Sequence, residues 1–308
     1  MGFGRSLVDE LATQVVGRRG EIEQLVAALS AGRHLLLEGP PGTGKSTLLR
    51  SVAHAGGHGF EFVEGNAELT PARMVGTFDP SAVLESGYSP SVFLDGPLTA
   101  ALRDGSLLYI EEINRIPEET LNVLITVMSE GELHIPRLGH VVAHRGFRLV
   151  AAMNPFDAVG TARISGAVYD RGCRLAMGYQ DRPDELAIVR RRAGNVPAAA
   201  DESFLARSVE MVRATRAHPD LRTGSSVRGA IDFTLLSAGL AELRESSYDS
   251  GDVTHDAAQL ALSGRVRVRD GCGRGAAEIV EELWRRFFGA LDSDGAPRPT
   301  PDEDPGKA

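Results

Sequence analysis

Two cysteines, Cys173 and Cys272, are all that the 308 residues contain. They stand apart, neither in a C-x-x-C pair nor beside a histidine pattern. That argues against a disulfide framework or a structural zinc site and fits a reducing compartment. No apolar run reaches the ~18 residues that a membrane-spanning helix needs, and the amino terminus lacks the charged-then-apolar plan of a signal peptide. No membrane insertion and a cytoplasmic location are therefore expected. Positive charge is in deficit, with 33 Lys and Arg against 42 Asp and Glu and a formal net charge of -9. A general nucleic-acid or anionic-membrane surface is disfavoured, and no basic, aromatic-studded stretch argues otherwise. A local basic strip around a pore is still compatible with that average. The rest is ordinary: 42% hydrophobic and 24% charged residues, in a chain long enough for two domains.

The stretch that organises this chain is 39–47, GPPGTGKST. It satisfies G-x-x-x-x-G-K-[ST] through Gly39, Gly44, Lys45 and Ser46, with Pro40, Pro41, Gly42, Thr43 and Thr47 filling the remaining places. Before it, residues 34–38 (HLLLE) suit a buried parallel strand; after it, residues 46–53 open a helix. Strand, glycine loop and helix together make a phosphate-binding loop (P-loop), where a glycine turn with an incidental lysine would need neither flank. Glycines let successive N–H groups turn inward onto phosphate oxygens, and the helix start adds its positive dipole end. Lys45 can then reach the β- and γ-phosphates of ATP, and the Ser46 hydroxyl can ligate Mg²⁺.

Hydrolysis needs an acidic group at the end of a neighbouring apolar strand. Residues 107–110 (LLYI) are such a strand, and Glu111-Glu112 follow it. Glu111 stands where the metal-organising acid is usually Asp, one methylene shorter; Glu112 takes the place of the residue that polarises the attacking water. A third apolar strand, 147–153, ends in Asn154-Pro155. It is expected to lie between the other two, so that the Asn154 amide faces the γ-phosphate or the water; alone, the pair would read as a turn.

Around these motifs the periodicity predicts a helix over 21–29, a second strand over 60–63, and helices over 98–103 and 117–131. Residues 77–97 carry scattered aromatic, Gly and Pro residues with no sustained period, inside what should be a simple crossover. Residues 133–142 read as a hairpin. From about 183 strand-like runs stop and helices take over, near 184–192, 202–217, 227–243, 254–263 and 276–288. The expected domains are thus an α/β unit over 1–182, a helical lid over 183–290, and a disordered tail over 291–308 rich in Asp, Gly and Pro.

The set VVGRR, GPPGTGKST, LLYIEEINR, AAMNP, YDR and SSVRGAID, in this order, resembles the AAA+ ATPases across nearly all of 15–289. The insertion 77–97 and the hairpin 133–142 resemble the clade with a helix-2 insert and a pre-sensor-1 hairpin. EEINRIPEETLNVLITVMSEGEL and FRLVAAMNP with GTARISGAVYDR are similar to MoxR-type ATPases, and VGTFDPSAVLESG is also similar to the motor subunit of metal chelatases.

The resemblance implies a three-layer P-loop domain with a parallel sheet, followed by a small all-α lid, with Mg-ATP between them. It implies a homo-oligomeric ring, a hexamer, in which Arg171 is the arginine finger reaching a neighbour's γ-phosphate; Arg163 is a second candidate. Gly172 stands where MoxR-type proteins have an apolar aromatic. Arg228, placed in the first turn of a helix capped by Ser225 or Ser226, matches the lid arginine called sensor 2. Val16 and Gly17 match the segment lining the adenine pocket, while Arg115 reads equally as a subunit contact or a plain salt bridge. The output it implies is ATP-driven, chaperone-like remodelling or maturation of a client, commonly with a partner bearing a von Willebrand A-type domain. A chelatase motor and a nucleotide-dependent switch with little turnover are the alternatives.

Overall fold

A computed structural model of the chain describes residues 3–155 and 166–289. Arg163 and the tail 291–308 lie outside the described residues. The chain divides into two units, Met1–Gly178 and Tyr179–Ala308.

In the first unit, α1 (Arg5–Gln14) and α2 (Arg19–Ser30) precede β1 (His34–Glu38), which leads through the glycine loop into α3 (Lys45–Gly56). Next come β2 (Phe60–Glu64), α4 (Pro71–Val75), β3 (Gly76–Phe78), α5 (Pro80–Ser86), β4 (Phe93–Asp95) and α6 (Pro97–Asp104). The unit continues through β5 (Leu107–Glu111), α7 (Glu118–Glu130), β6 (Glu132–Ile135), β7 (Gly139–Val142), β8 (Arg148–Met153), α8 (Gly166–Arg171) and β9 (Gly172–Ala176).

Five of these strands form one sheet in the order β2-β5-β8-β1-β9, each neighbour parallel to the next. Its side chains alternate between two cores. Leu36, Leu108, Ile110, Leu149 and Ala151 pack with α6 and α7 on one face. Leu35, Leu37, Leu107, Tyr109, Val150 and Ala152 pack with α1, α2 and α3 on the other. Burial on both faces is why β1, β5 and β8 read as unbroken apolar runs rather than alternating ones. Because all five run the same way, the chain leaves β1, β5 and β8 at one shared edge. That edge carries the glycine loop, Glu111-Glu112 and Asn154, with β8 between β1 and β5 as the sequence led us to expect.

Strand β9 has no such signature. It extends the sheet beyond β1, yet of its five residues only Leu175 is buried. The insertion 77–97 is a small antiparallel pair, Phe78 opposite Phe93, that carries α5. Asp79 caps that helix, its carboxylate accepting from the Ser81 N–H at 2.8 Å. The hairpin pairs Leu133 with Val141. At its turn the Arg137 guanidinium lies 3.8 Å over the Tyr88 ring of the insertion.

The second unit contains α9 (Arg182–Ala193), α10 (Pro197–Ala200), α11 (Glu202–Ala217), β10 (Leu221–Thr223), α12 (Val227–Arg244), α13 (Gly251–Leu262), β11 (Arg267–Val268) and α14 (Ala276–Phe288). Phe204, Phe233, Leu262, Ile279 and Leu283 lie at its core. The helices match the periodicity, but strand structure does not stop: β10 and β11 form a short antiparallel ribbon. Two and three residues are too few to leave a period-2 pattern. Among the described residues no helix is long and apolar enough to cross a membrane.

Candidate active site

The glycines of the loop answer to two different demands. Gly42 and Gly44 have φ of 76° and 88°, a region that costs other L-residues about 1–2 kcal/mol. Gly44 is the residue from which α3 departs, and a Cβ built on it meets no atom within 4 Å, so the loop is open there. At Gly39 the demand is steric: a Cβ would stand 2.1 Å from the Met177 carbonyl oxygen. Lys45 is buried, and its Nζ donates to the carbonyls of Gly39 at 2.8 Å and Pro40 at 3.0 Å. Thr43 Oγ1 braces the loop internally, donating to the Pro40 carbonyl at 3.0 Å.

The two-residue period of β5 sets Tyr109 and Glu111 on the same face, the one covered by α3. Ser46, in the first turn of α3, meets both. Its Oγ lies 3.0 Å from each Glu111 carboxylate oxygen and 3.3 Å from the Tyr109 hydroxyl. Burial pushes the Tyr109 phenol well above its ordinary range, with the Glu111 charge adding to it, so Tyr109 stays neutral. A hydroxyl and a carboxylate in contact, both hard oxygen donors beside a phosphate loop, fit Mg²⁺. The longer Glu111 side chain reaches Ser46 from the last position of β5.

Glu112 departs from the strand into a left-handed conformation, φ 56° and ψ 45°. Such backbone on a non-glycine residue costs on the order of 1–3 kcal/mol and persists where neighbours impose it. Gly65 is one such neighbour. Its N–H donates to the Glu111 carbonyl at 2.7 Å, and a Cβ on it would stand 2.3 Å from the Glu112 carbonyl oxygen. The Glu112 carboxylate forms an ion pair with Arg115 three residues on, which gives that arginine the salt-bridge role within this chain. Asn154, half-buried, follows β8, which lies between the acidic strand β5 and the strand β1 that leads into the glycine loop.

Three further groups escaped the sequence reading. Arg18, beside half-buried Val16 and exposed Gly17, is only 3% exposed. Its Nη2 donates to the Thr43 carbonyl at 3.0 Å and to the Gly178 carbonyl at 2.6 Å, and Nη1 pairs with Glu21. Glu38, last in β1 and 5% exposed, accepts from Tyr169 Oη at 2.7 Å and Arg174 Nε at 2.6 Å. Gly65 is the third. Each depends on partners remote in sequence, and an arginine or glutamate without a motif reads as surface.

Tyr169 explains how α8 is placed. Burial, then the bond to Glu38 and its charge, push its phenol up to about 12. As a neutral donor it pins α8 beside the end of β1. Arg171 at the end of α8 bonds through Nε to the Ser129 hydroxyl of α7 and through Nη1 to the Ala167 carbonyl at 3.1 Å. A third of its side chain is exposed. Arg228 belongs to the second unit, exposed in the first turn of α12. The hydroxyl cap expected there is absent. Ser226 occupies the cap position without a side-chain capping bond; its carbonyl accepts the Gly229 N–H at 2.9 Å and the Ser225 hydroxyl at 3.2 Å.

The profile of the AAA domain (dynein-related subfamily) matches residues 34–172, from the P-loop strand through α8. The gas vesicle ATPase GvpN2 of Halobacterium salinarum is 30% identical over 273 residues, which span 82% of this chain and 74% of that protein. The uncharacterised protein YeaC of Bacillus subtilis is 29% identical over 304 residues, 90% of this chain and 91% of its own. Among solved structures, a candidate ATPase from Cytophaga hutchinsonii is similar with a TM-score of 0.52 and 22% identity, over 91% of this chain and 93% of that one. A RuvB variant of Thermotoga maritima has a TM-score of 0.53 and 20% identity, over 82% and 72% of the two chains. The chain belongs to the AAA+ ATPases.

Proposed function

We propose that this is a MoxR-type AAA+ motor, a cytoplasmic ring, hexameric, that spends Mg-ATP to remodel or mature a client protein or metalloenzyme complex. A partner with a von Willebrand A-type domain belongs to this reading and rests on the motif resemblance alone. The observation that carries the enzymology is the meeting of Ser46 with Glu111, with Glu112 next in the chain, at the sheet edge that bears the P-loop.

In this reading the loop N–H groups of 39–47 and Lys45 hold the phosphates, and Val16 and Gly17 line the adenine pocket. Ser46 and Glu111 organise Mg²⁺, which when bound offsets phosphate charge. Glu112 takes a proton from the attacking water as its oxygen bonds to the γ-phosphorus and the bond to ADP breaks. Asn154 orients that water. Arg171 works in trans from a neighbouring subunit, and Arg228 reports nucleotide from the lid.

The test is ATP turnover per subunit against protein concentration, with Mg²⁺, for the wild type and Glu112→Gln. Turnover that rises with concentration and vanishes in the variant is expected. Flat, negligible wild-type turnover despite tight ATP binding would overturn the motor in favour of a nucleotide-dependent switch.

A further inference from the structure

The sheet edge opposite the P-loop, where β1 and β8 begin, gathers charge of one sign. Arg33 precedes β1, Arg148 opens β8, and Arg145 stands three residues ahead of it. Strands β1 and β8 are parallel neighbours, so their starts lie side by side. In a chain of net charge -9, none of these three arginines forms an ion pair among the described residues. Asp104, which ends α6 at the same edge, pairs with none of them.

Arg148 is the centre of the group. Its Nη1 donates to the carbonyls of Arg145 at 2.9 Å and Phe147 at 2.5 Å. Its Nε is buried with no hydrogen-bond partner, and Nη2 has none among the described residues. A buried donor with no acceptor is costly and rare in native proteins. Nε and Nη2 together form the side of a guanidinium that grips an oxyanion through two parallel N–H bonds. Gly32, with φ of 74°, keeps the space beside Nη2 clear, since a Cβ there would stand 3.1 Å from it.

Neighbouring groups register the positive field. Burial, then the charge of Arg33, push the Arg148 guanidinium down. Burial, then Arg148 and Arg33, do the same to His34.

We infer that Arg33, Arg145 and Arg148 form a binding site for a phosphate group, at the end of the sheet remote from the P-loop. A phosphate concentrates about −1.5 to −2 charges and three acceptor oxygens in one compact group. A carboxylate offers half that charge and two oxygens, too little for three guanidiniums with no acid among them. Arg148 supplies the fixed fork. Arg33 and Arg145, both exposed, add charge from the α2–β1 and β7–β8 loops. A free phosphate anion and a phosphate monoester share this chemistry. The site is independent of the ATP-site reading above.

Calorimetric titration of full-length Lys45→Ala protein, in which the P-loop is disabled, tests it with inorganic phosphate, phenyl phosphate and acetate at equal ionic strength. One of the phosphates should bind at least about tenfold more tightly than acetate. Arg33→Gln and Arg145→Gln, at exposed positions without side-chain hydrogen bonds among the described residues, should each weaken that binding about threefold, and together about tenfold. Tighter binding of phenyl phosphate assigns the site to a monoester; tighter binding of inorganic phosphate assigns it to the free anion. Phosphates that bind no better than acetate, or as well to the double variant, overturn the site. Thermal unfolding gives a second readout: phosphate should raise the melting temperature above that in chloride of equal ionic strength, and more so than in the double variant. An equal rise in both would be the general stabilising effect of an excluded anion and would overturn the site as well.

Discussion

A histidine at the start of β1 owes its charge state to one hydrogen bond and its surroundings. His34 Nδ1 accepts from the Leu149 N–H at 2.9 Å, which requires the ring to be neutral. Burial, then the charges of Arg148 and Arg33, push it down to about 4 from 6.5. The unfolded chain therefore binds a proton between those values that the folded chain refuses, and stability rises with pH across that window. Full stability is present above about pH 6.5 and declines on acidification towards about pH 4, by on the order of 3 kcal/mol. Denaturant titrations at pH 7 and 4.5 check this, and His34→Gln, which keeps an acceptor without a proton to gain, should flatten the difference. At this scale the sequence was most legible where a motif fixes residue type: Gly39, Gly44 and Lys45 stand together in the loop after β1, and Glu111 and Glu112 at the end of β5, as their spacing led us to expect. Lys45→Ala should abolish ATP binding, and wild-type affinity there would remove the P-loop assignment. Arg18 and Glu38 were not legible because their roles lie in partners that only the fold brings near.

At the scale of elements, the acidic strand depends on its neighbour. Gly65, just past β2, approaches the carbonyls of Glu111 and Glu112 so closely that any side chain would displace them. Gly65→Ala should therefore leave ATP affinity within about threefold while lowering kcat about 100-fold, the effect of misplacing a catalytic group by about 1 Å. Steady-state turnover alongside nucleotide titration separates the two, and an unchanged kcat would show that the strand end tolerates the shift. Strands β1, β5 and β8 could be read in advance because both faces are buried. Strand β9 could not, since an edge strand with one buried side chain has no pattern to detect. The insertion 77–97 was visible only as a break in periodicity; the antiparallel pair beneath α5 has three residues a side.

At the scale of the whole molecule, the helical character of the second unit was legible from composition and period, and its short ribbon was not. The division falls between Gly178 and Tyr179, just ahead of Asp181, which caps α9 by accepting the Asp184 N–H at 3.0 Å. The proposed ring leads to a prediction that single variants cannot test. Arg171→Ala and Glu112→Gln subunits, each inactive alone, should regain part of the wild-type turnover when mixed, since some sites then combine an intact finger with an intact base. Turnover assays on mixed rings verified by native mass measurement check it. No recovery would remove Arg171 from the trans role.

The two kinds of glycine in the P-loop carry a consequence for descent. A lineage relieved of any need for ATP would still be held at Gly39, where every replacement drives a carbon into the Met177 carbonyl and so into the seam between β1 and β9. Gly44 has no such tie: open space surrounds it, and only the modest left-handed penalty resists change. Loss of catalysis would thus be written first at Gly44 and last at Gly39, and a descendant that keeps the first glycine of the loop but not the last would be a fold that outlived its fuel.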